Sequence, residues 1–384
     1  MNWGSWIEVD LDALAHNFRE IQAQTGASVC PVVKGDAYGH GAPMVVRHLA
    51  KYGAQCFAVG DVEEALTVRA HSQAPLLLLT PPLPEQVPEV IKYRLIPTVV
   101  SAELAETLAG AAAARRLRLP VHLKVDTGLG RLGVLPKDAL PLAKLIAGFP
   151  SLKLAGLYTH FADGTNRART ERQLKELLQI RDLLSREGIT NVIWHAANSP
   201  GFCLGPHTHL DMVRIGTLLY GQGYSGSRME LKDTWKLYAR VIAVKEIPAG
   251  SLIGYGGTYR APENMVIGVI PVGYSHGLQL EPESTVGVQF RRALRRLARP
   301  SQDCAFLGEQ PLPIVGKVGM NLTCLDLRGA ANPRPGLVVR LHARRATISR
   351  GIAKAYITRG RVIAYWRDGR FFLPAFDRGT RSYV

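Results

Sequence analysis

The chain has 384 residues, 47 % of them hydrophobic and 20 % charged, with a formal net charge of +16. That length exceeds one ordinary compact domain and predicts two, with enough apolar content for a sizeable core. No apolar run reaches the ~18 residues of a membrane-spanning helix, and Met1-Asn2-Trp3-Gly4-Ser5 lacks a basic segment followed by an apolar one, so a cytoplasmic location is expected. The cysteines Cys30, Cys56, Cys203, Cys304 and Cys324 are odd in number and widely scattered, without a CxxC pair. That spacing suits neither a disulfide framework nor zinc, so reduced thiols and no metal are expected. The basic balance raises a nucleic-acid-binding module as a distant alternative, the densest cluster being Arg291-Arg292-Ala293-Leu294-Arg295-Arg296-Leu297-Ala298-Arg299. No zinc finger, helix-turn-helix or aromatic-interleaved RNA motif accompanies it, so a basic surface that draws in anionic small molecules is the simpler account, with no nucleic-acid partner.

In chain order, short apolar and β-branched runs at 28–34, 56–60, 75–80, 95–100, 120–126, 152–160, 191–198 and 210–216 read as strands. Helical spacing fills 43–52, 62–71, 102–115, 137–146 and 171–187 between them, while the last two connections are shorter and less regular. Continuous rather than alternating apolar strands indicate a sheet covered on both faces, as parallel sheets are. The pattern predicts an α/β fold, a (β/α)₈ TIM barrel. A doubly wound open sheet is the rival that strand counting does not exclude. After Tyr220 the texture changes: runs at 239–245, 265–272 and 337–342 are separated by turns such as Ile247-Pro248-Ala249-Gly250 and Glu309-Gln310-Pro311. The expected organisation is a barrel over 10–234 and a mostly β C-terminal domain over 235–384, with residues 1–9 packing against the latter.

A barrel gathers its functional groups where strands end at the C-terminal face. Those positions hold Lys34, then Lys124 and the loop to Arg131, then His160, Asn198-Ser199, and Arg214-Ile215-Gly216-Thr217. The small residues after strands seven and eight suit a phosphate site, where backbone N–H groups receive an anion. Lys34 ends the apolar run Val29-Cys30-Pro31-Val32-Val33. A lysine partly desolvated in this way can lose its proton and form a Schiff base with an aldehyde cofactor, although a strand-end lysine taken alone is more often a surface residue.

The segment Val32-Val33-Lys34-Gly35-Asp36-Ala37-Tyr38-Gly39-His40-Gly41 resembles the cofactor-lysine motif of alanine racemases. The resemblance continues through Trp6 to Asp12, Phe57 to Ala65, Leu123 to Gly133, Thr159-His160-Phe161-Ala162 and His195 to Ser199. Asp211-Met212-Val213-Arg214-Ile215-Gly216 and Tyr255-Gly256-Gly257-Thr258-Tyr259 follow in the family's order. It implies a pyridoxal 5'-phosphate-dependent isomerase that interconverts L-alanine and D-alanine, works as a cytoplasmic homodimer with shared active sites, and supplies D-alanine for peptidoglycan.

The same resemblance implies roles residue by residue. Lys34 looks like the lysine that carries the cofactor and serves as one of two bases; Tyr255 of the partner subunit is similar to the other. Two bases on opposite faces of Cα suffice for racemisation. A phenol is a poor base at neutral pH, and His160, placed against Tyr255 and facing Arg214, would ease that difficulty. Arg214 would donate to the pyridine nitrogen and leave the ring a weaker electron sink. Arg131 would hold the cofactor phenolic oxygen and the substrate carboxylate, positioned by Lys124, which is carbamylated in many relatives. Tyr38, Asn198, Ser199, Gly216, Thr217 and Tyr356 correspond to cofactor contacts, and Met320 to a substrate contact.

Several departures from the family pattern stand out, and those at 165, 274–280 and 316–322 correspond to the substrate entrance of relatives. Gly35-Asp36 replaces the usual Ala-Asn, Thr165 stands where an acid is expected, and Leu278-Gln279-Leu280 lacks the usual arginine. Tyr274-Ser275-His276-Gly277 and Gly316-Lys317-Val318-Gly319-Met320-Asn321-Leu322 are also altered, as is the terminal motif at 348–356. Racemisation of serine or another amino acid by the same mechanism is therefore the near alternative.

Overall fold

The structure, a computed structural model, describes residues 3–224, 227, 229–280, 290 and 304–374; the arginine cluster at 291–299 lies outside the described residues. The chain divides into two compact units. One comprises Asp12–Ala37 and Ala42–Asp233; the other comprises Met1–Leu11, Tyr38–Gly41 and Thr234–Val384.

Strand β1 (Ser5–Asp10) and helix α1 (Leu11–Ala23) precede the barrel. Its strands are β2 (Ser28–Pro31), β3 (Phe57–Val59), β4 (Leu76–Leu78), β5 (Thr98–Val99), β6 (Leu119–Lys124), β7 (Leu152–Tyr158), β8 (Ile193–His195) and β9 (Met212–Ile215). Connections hold α2 (Lys34–Gly39), α3 (Ala42–Ala50), α4 (Val62–Arg69), α5 (Val87–Lys92), α6 (Ala102–Ala114), α7 (Pro136–Gly148), α8 (Arg167–Arg186) and α9 (Ser199–Phe202). The parallel order β2-β9-β8-β7-β6-β5 is joined to the parallel pair β3-β4 by bridges Val32↔Ala58 and Leu77↔Ile96. The ring therefore closes, which decides for the barrel over an open sheet. Every residue of β3 and β4 is fully buried, because helices cover one face and barrel interior the other. Each such Leu or Val removed from water contributes roughly 1.5–3 kcal/mol.

Helix starts follow their caps: Asp61, Ser101 and Asn166 accept from Glu64, Leu104 and Arg169 N–H respectively. Helix α1 falls outside the sequence-predicted helices, although Leu14, Phe18 and Ile21 bury one face at helical spacing. Its buried Asn17 donates to Leu219 and Lys232 carbonyls and accepts from Lys232 N–H, tying down the segment after β9 where no long helix follows.

The second unit carries β10 (Trp235–Arg240), β11 (Ala243–Ile247), β12 (Leu252–Ile253), β13 (Tyr259–Arg260), β14 (Met265–Ile270) and β15 (Cys304–Leu307). It continues with β16 (Gln310–Val315), β17 (Thr323–Asp326), β18 (Val338–Leu341), β19 (Ala353–Thr358), β20 (Arg361–Arg367) and β21 (Arg370–Phe372). The described strands form a sheet ordered β11-β14-β17-β16-β15-β18-β10-β1-β19-β20-β21, in which β1 lies antiparallel to β10 and parallel to β19. The run expected as one strand at 239–245 is two. Val241 N–H bonds to Leu337 and Ile242 N–H to Val269, so the chain changes partner between them; apolar pattern does not encode a change of partner. Ile247, Ile253, Ala261, Met265, Ile267 and Val315 form a small core beneath the β12–β13 hairpin.

Candidate functional site

Lys34 follows β2 at the barrel mouth. Next come five residues with positive φ: Gly35 (64°), Asp36 (55°), Ala37 (55°), Tyr38 (54°) and Gly39 (83°). The helical turn α2 is thus left-handed, a conformation costing an L-residue with a Cβ roughly 1–2 kcal/mol. Local bonds offset that strain. Ala37 N–H reaches Val33, Asp36 Oδ1 accepts from Ala42 N–H, and Glu64 Oε1 accepts from Gly35 N–H at 2.8 Å. Lys34 is exposed as a residue, yet burial around its amine, then Arg131 and Arg214, hold it below the ordinary lysine range; Glu64 pulls the other way.

Arg214, near the end of β9, is 2 % exposed. Its Nη1 lies 2.6 Å from His195 Nδ1, and its Nη2 donates to Thr159 and Ala196 carbonyls at 2.7 and 3.1 Å and approaches His160 Nδ1 at 3.4 Å. His195 Nε2 meets His122 Nδ1 at 2.9 Å. Tyr158 stacks on His195 at 4.6 Å, bonds Thr98 at 2.7 Å, and places its ring 4.8 Å from the Arg214 guanidinium carbon. Burial pushes the Tyr158 phenol up to about 12. Burial and the Arg214 charge push His122 down to about 3, and His195 and His160 well below the usual histidine range. All three imidazoles are neutral at physiological pH.

Lys124 ends β6, 4 % exposed, with Nζ 5.5 Å from the Tyr158 ring. Burial, then Arg214 and Arg131, bring it down to about 8. Arg131 rides on a loop organised by Asp126, whose Oδ1 accepts from Gly128, Leu129 and Gly130 N–H and whose Oδ2 accepts from Arg131 N–H at 2.8 Å. Burial opposes the Asp126 charge, but those four N–H groups outweigh it and hold the carboxyl below its ordinary range.

At the far side of the mouth, Asn198 caps α9 through Gly201 N–H and extends Nδ2 to within 3.4 Å of His160 Nε2. Buried Ser199 Oγ accepts from Gly216 N–H at 3.0 Å and Leu218 N–H at 3.4 Å, while Thr217 Oγ1 bonds Tyr224. Where an entrance acid is expected, the Thr165 hydroxyl instead bonds Asp163 Oδ1 at 2.6 Å, which leaves a carboxylate two residues earlier.

The barrel unit therefore holds Lys34, Lys124, Arg131, His160, Asn198, Ser199, Arg214, Gly216 and Thr217. Tyr38, Tyr255, Met320 and Tyr356 belong to the β-rich unit. There Tyr356 is fully buried, and a Cβ built on Gly41 would fall 1.9 Å from its hydroxyl. Tyr255 opens a turn between β12 and β13 and is 77 % exposed. Its ring lies beside Gly319, next to exposed Met320. The sequence reading missed Glu64, Asp126, Tyr158, His122 and His195 as members of the site. Polar residues breaking apolar strands at 122 and 195 were the available signal.

Two family models match the chain: Alanine racemase, N-terminal domain, over residues 9–223, and Alanine racemase, C-terminal domain, over 234–359. An alanine racemase of Desulfosudis oleivorans is 34 % identical over 353 residues, covering 87 % of this chain and 86 % of that protein. One from Chlorobaculum tepidum is 37 % identical over 329 residues, covering 83 % and 82 %. Among solved structures, alanine racemase from Bacillus anthracis with bound L-Ala-P is 26 % identical with a TM-score of 0.82, covering 96 % of this chain and 98 % of that one. The Bartonella henselae alanine racemase with covalently bound pyridoxal phosphate shares the fold at a TM-score of 0.74 and 23 % identity, covering 92 % and 100 %.

Proposed function

The chain belongs to the alanine racemase family, and from that premise we propose that it interconverts L-alanine and D-alanine with pyridoxal phosphate, as a cytoplasmic homodimer whose subunits share active sites. The observation that carries this reading is the convergence of Lys34, Lys124, Arg131 and Arg214 on one mouth, with His160 neutral among them. Such a mouth suits two anionic groups, a phosphate and an amino-acid carboxylate.

The donor set fits pyridoxal phosphate. Lys34 is an exposed residue, and burial around its amine holds it below its ordinary range. Ser199 and the Gly216 and Leu218 N–H groups converge on a buried point, and Arg214 supplies donors only. Lys34 would carry the group, Arg214 would face its ring nitrogen, and Tyr38, Asn198, Ser199, Gly216, Thr217 and Tyr356 would contact it. Bound there, the group would draw electron density from the substrate Cα and acidify its Cα–H.

The remaining work falls to the protein. Arg131 binds the carboxylate and orients Cα, held in place by the Asp126-organised loop. Lys34 Nζ moves a proton at one face of Cα, and Tyr255 Oη of the partner subunit moves one at the other. The exposure of Tyr255 supports that assignment, since it reaches outward from its own fold. His160 connects Arg214 to Asn198 and steadies the second base. Lys124 at about 8 is in part a free amine, the form that takes up carbon dioxide; a carbamate there would reverse its charge toward Arg131. Met320 borders the substrate, and the product D-alanine would serve peptidoglycan.

Borohydride reduction of the purified protein tests the cofactor assignment. A pyridoxyl group should be fixed on Lys34; its recovery on another lysine defeats the reading.

A further inference from the structure

Glu64 occupies an unusual place for an acid. It lies in the first turn of α4 and is 8 % exposed. Asp61, three residues before it, caps that helix through Glu64 N–H at 2.9 Å. A glutamate at this position ordinarily turns back to the cap residue's own N–H. Here the carboxylate points elsewhere: Oε2 accepts from Gly60 N–H at 2.9 Å, and Oε1 crosses to Gly35 N–H at 2.8 Å. Gly60 follows β3 and Gly35 follows Lys34 after β2, so one side chain ties together the mouth ends of two adjacent strands.

The fit is close. A Cβ on Gly60 would lie 2.9 Å from Glu64 Oε2 and 3.6 Å from Lys34 Cβ, so glycine lets carboxylate and lysine stem share this corner. The Gly35 N–H is also the first of the left-handed turn, and fixing it fixes the direction in which Lys34 leaves the strand. Around the Lys34 amine stand Arg131 and Arg214, with Lys124 and His160 within electrostatic reach; at Lys34 the Glu64 carboxylate opposes these cations, as Asp126 does at Lys124.

We propose that Glu64 is a positioning residue for Lys34, holding its backbone through Gly35 and setting its side-chain amine against the cationic mouth. The role rests on the functional reading above, in which Lys34 carries the cofactor and moves a proton. Without the carboxylate, the turn loses its anchor and the amine loses its opposing charge. The amine then gives up its proton more readily but reaches Cα less often in line.

Glu64→Gln keeps the side-chain length and one acceptor oxygen, while its NH₂ faces Gly60 N–H donor to donor. Glu64→Ala removes both bonds. The full-length chain, freed of cofactor, is labelled with a trace acylating reagent across about pH 6 to 10, and Lys34 modification is read by mass spectrometry. Lys34 should titrate about half a unit or more lower in both variants. In the loaded enzyme, kcat should fall about tenfold or more in Glu64→Ala with KM within about threefold, and Glu64→Gln should recover part of the loss. Circular dichroism normalises each value to folded protein. Unchanged titration of Lys34, or a kcat loss that vanishes on normalisation, overturns the proposal. If borohydride fixes no pyridoxyl group on wild-type Lys34, the functional reading fails, while the titration still decides the role of Glu64.

Discussion

Arg214 Nη1 and His195 Nδ1 lie 2.6 Å apart, and both side chains are removed from solvent. Arginine only donates, so Nδ1 must accept, and a neutral His195 carries its proton on Nε2. That proton points at His122 Nδ1, 2.9 Å away, which makes His122 the acceptor in turn. One buried cation thus sets the tautomer of two imidazoles. Removing His195 strips an acceptor from a buried charge, whereas removing His122 strips one from a neutral ring. His195→Leu is expected to cost about 3 kcal/mol and His122→Leu about 1 kcal/mol of stability in urea unfolding. Equal losses would show that the polarity of this chain is misassigned.

The same histidines predict a pH dependence. His122 titrates near 3 in the fold, and His160 and His195 lie well below the ordinary value of 6.5. Below about 6.5 the unfolded chain binds protons that the folded chain refuses, so stability is full above that pH and falls as pH drops. Asp126 and Asp326, whose folded ranges are lowered, add to the loss only near and below the ordinary aspartate value of 3.8. The fall should begin at about pH 6.5 and continue downward, because the unfolded chain takes up protons on these imidazoles before the folded chain does. Urea unfolding at several pH values checks this. A flat profile down to about pH 4 would mean these imidazoles are charged in the fold.

The covered parallel sheet was legible because eight short runs are mostly apolar rather than alternating. Closure into a barrel rests on the pairing of β2 with β3 and of β4 with the start of β5, which strand counting does not encode. Lys34, His160, Asn198 and Ser199 were legible because each ends or directly follows such a run, and Arg214 because it is a charge inside one, two residues before its end. Glu64 was not: an acid three residues after Asp61 reads as a helix cap, and its partner Gly35 lies in another connection. His122 and His195 were hidden for the same reason, since their pairing across β6, β7 and β8 is a matter of register. The left-handed turn was invisible because Ala37 and Tyr38 have no local preference for it and a single Asp36 has only a weak one. Its strain is offset by Glu64, Val33 and Ala42, which the chain brings in from both sides.

Two glycines near that turn separate strain from collision. Gly35 has φ of 64° and open space where a Cβ would go. Gly41 has φ of 88°, and its Cβ would fall 1.9 Å from the Tyr356 hydroxyl and 3.2 Å from Lys354 Cδ, both in fully buried side chains. Gly35→Ala therefore carries only the left-handed penalty, about 1 kcal/mol. Gly41→Ala adds overpacking of a buried tyrosine and should cost about 3 kcal/mol or more. Equilibrium unfolding of the two variants decides; similar losses would mean Tyr356 moves aside freely.

The exposed Tyr255 allows a test of architecture and mechanism together. If Tyr255 acts across a two-fold interface, each site combines Lys34 of one chain with Tyr255 of the other. Homodimers of Lys34→Ala and of Tyr255→Phe should each lose nearly all activity, since every site lacks one base. In a dimer built from one chain of each kind, the defects do not distribute evenly. One site receives both substitutions, and the other pairs an intact Lys34 with an intact Tyr255. Co-expressing two inactive proteins under different affinity tags, and isolating the doubly tagged dimer, should therefore recover about half the wild-type rate per dimer. A tyrosine serving its own chain would leave one defect in every site, and no mixture could recover. An inactive, verified heterodimer would thus assign Tyr255 to its own subunit and remove the shared site from the mechanism.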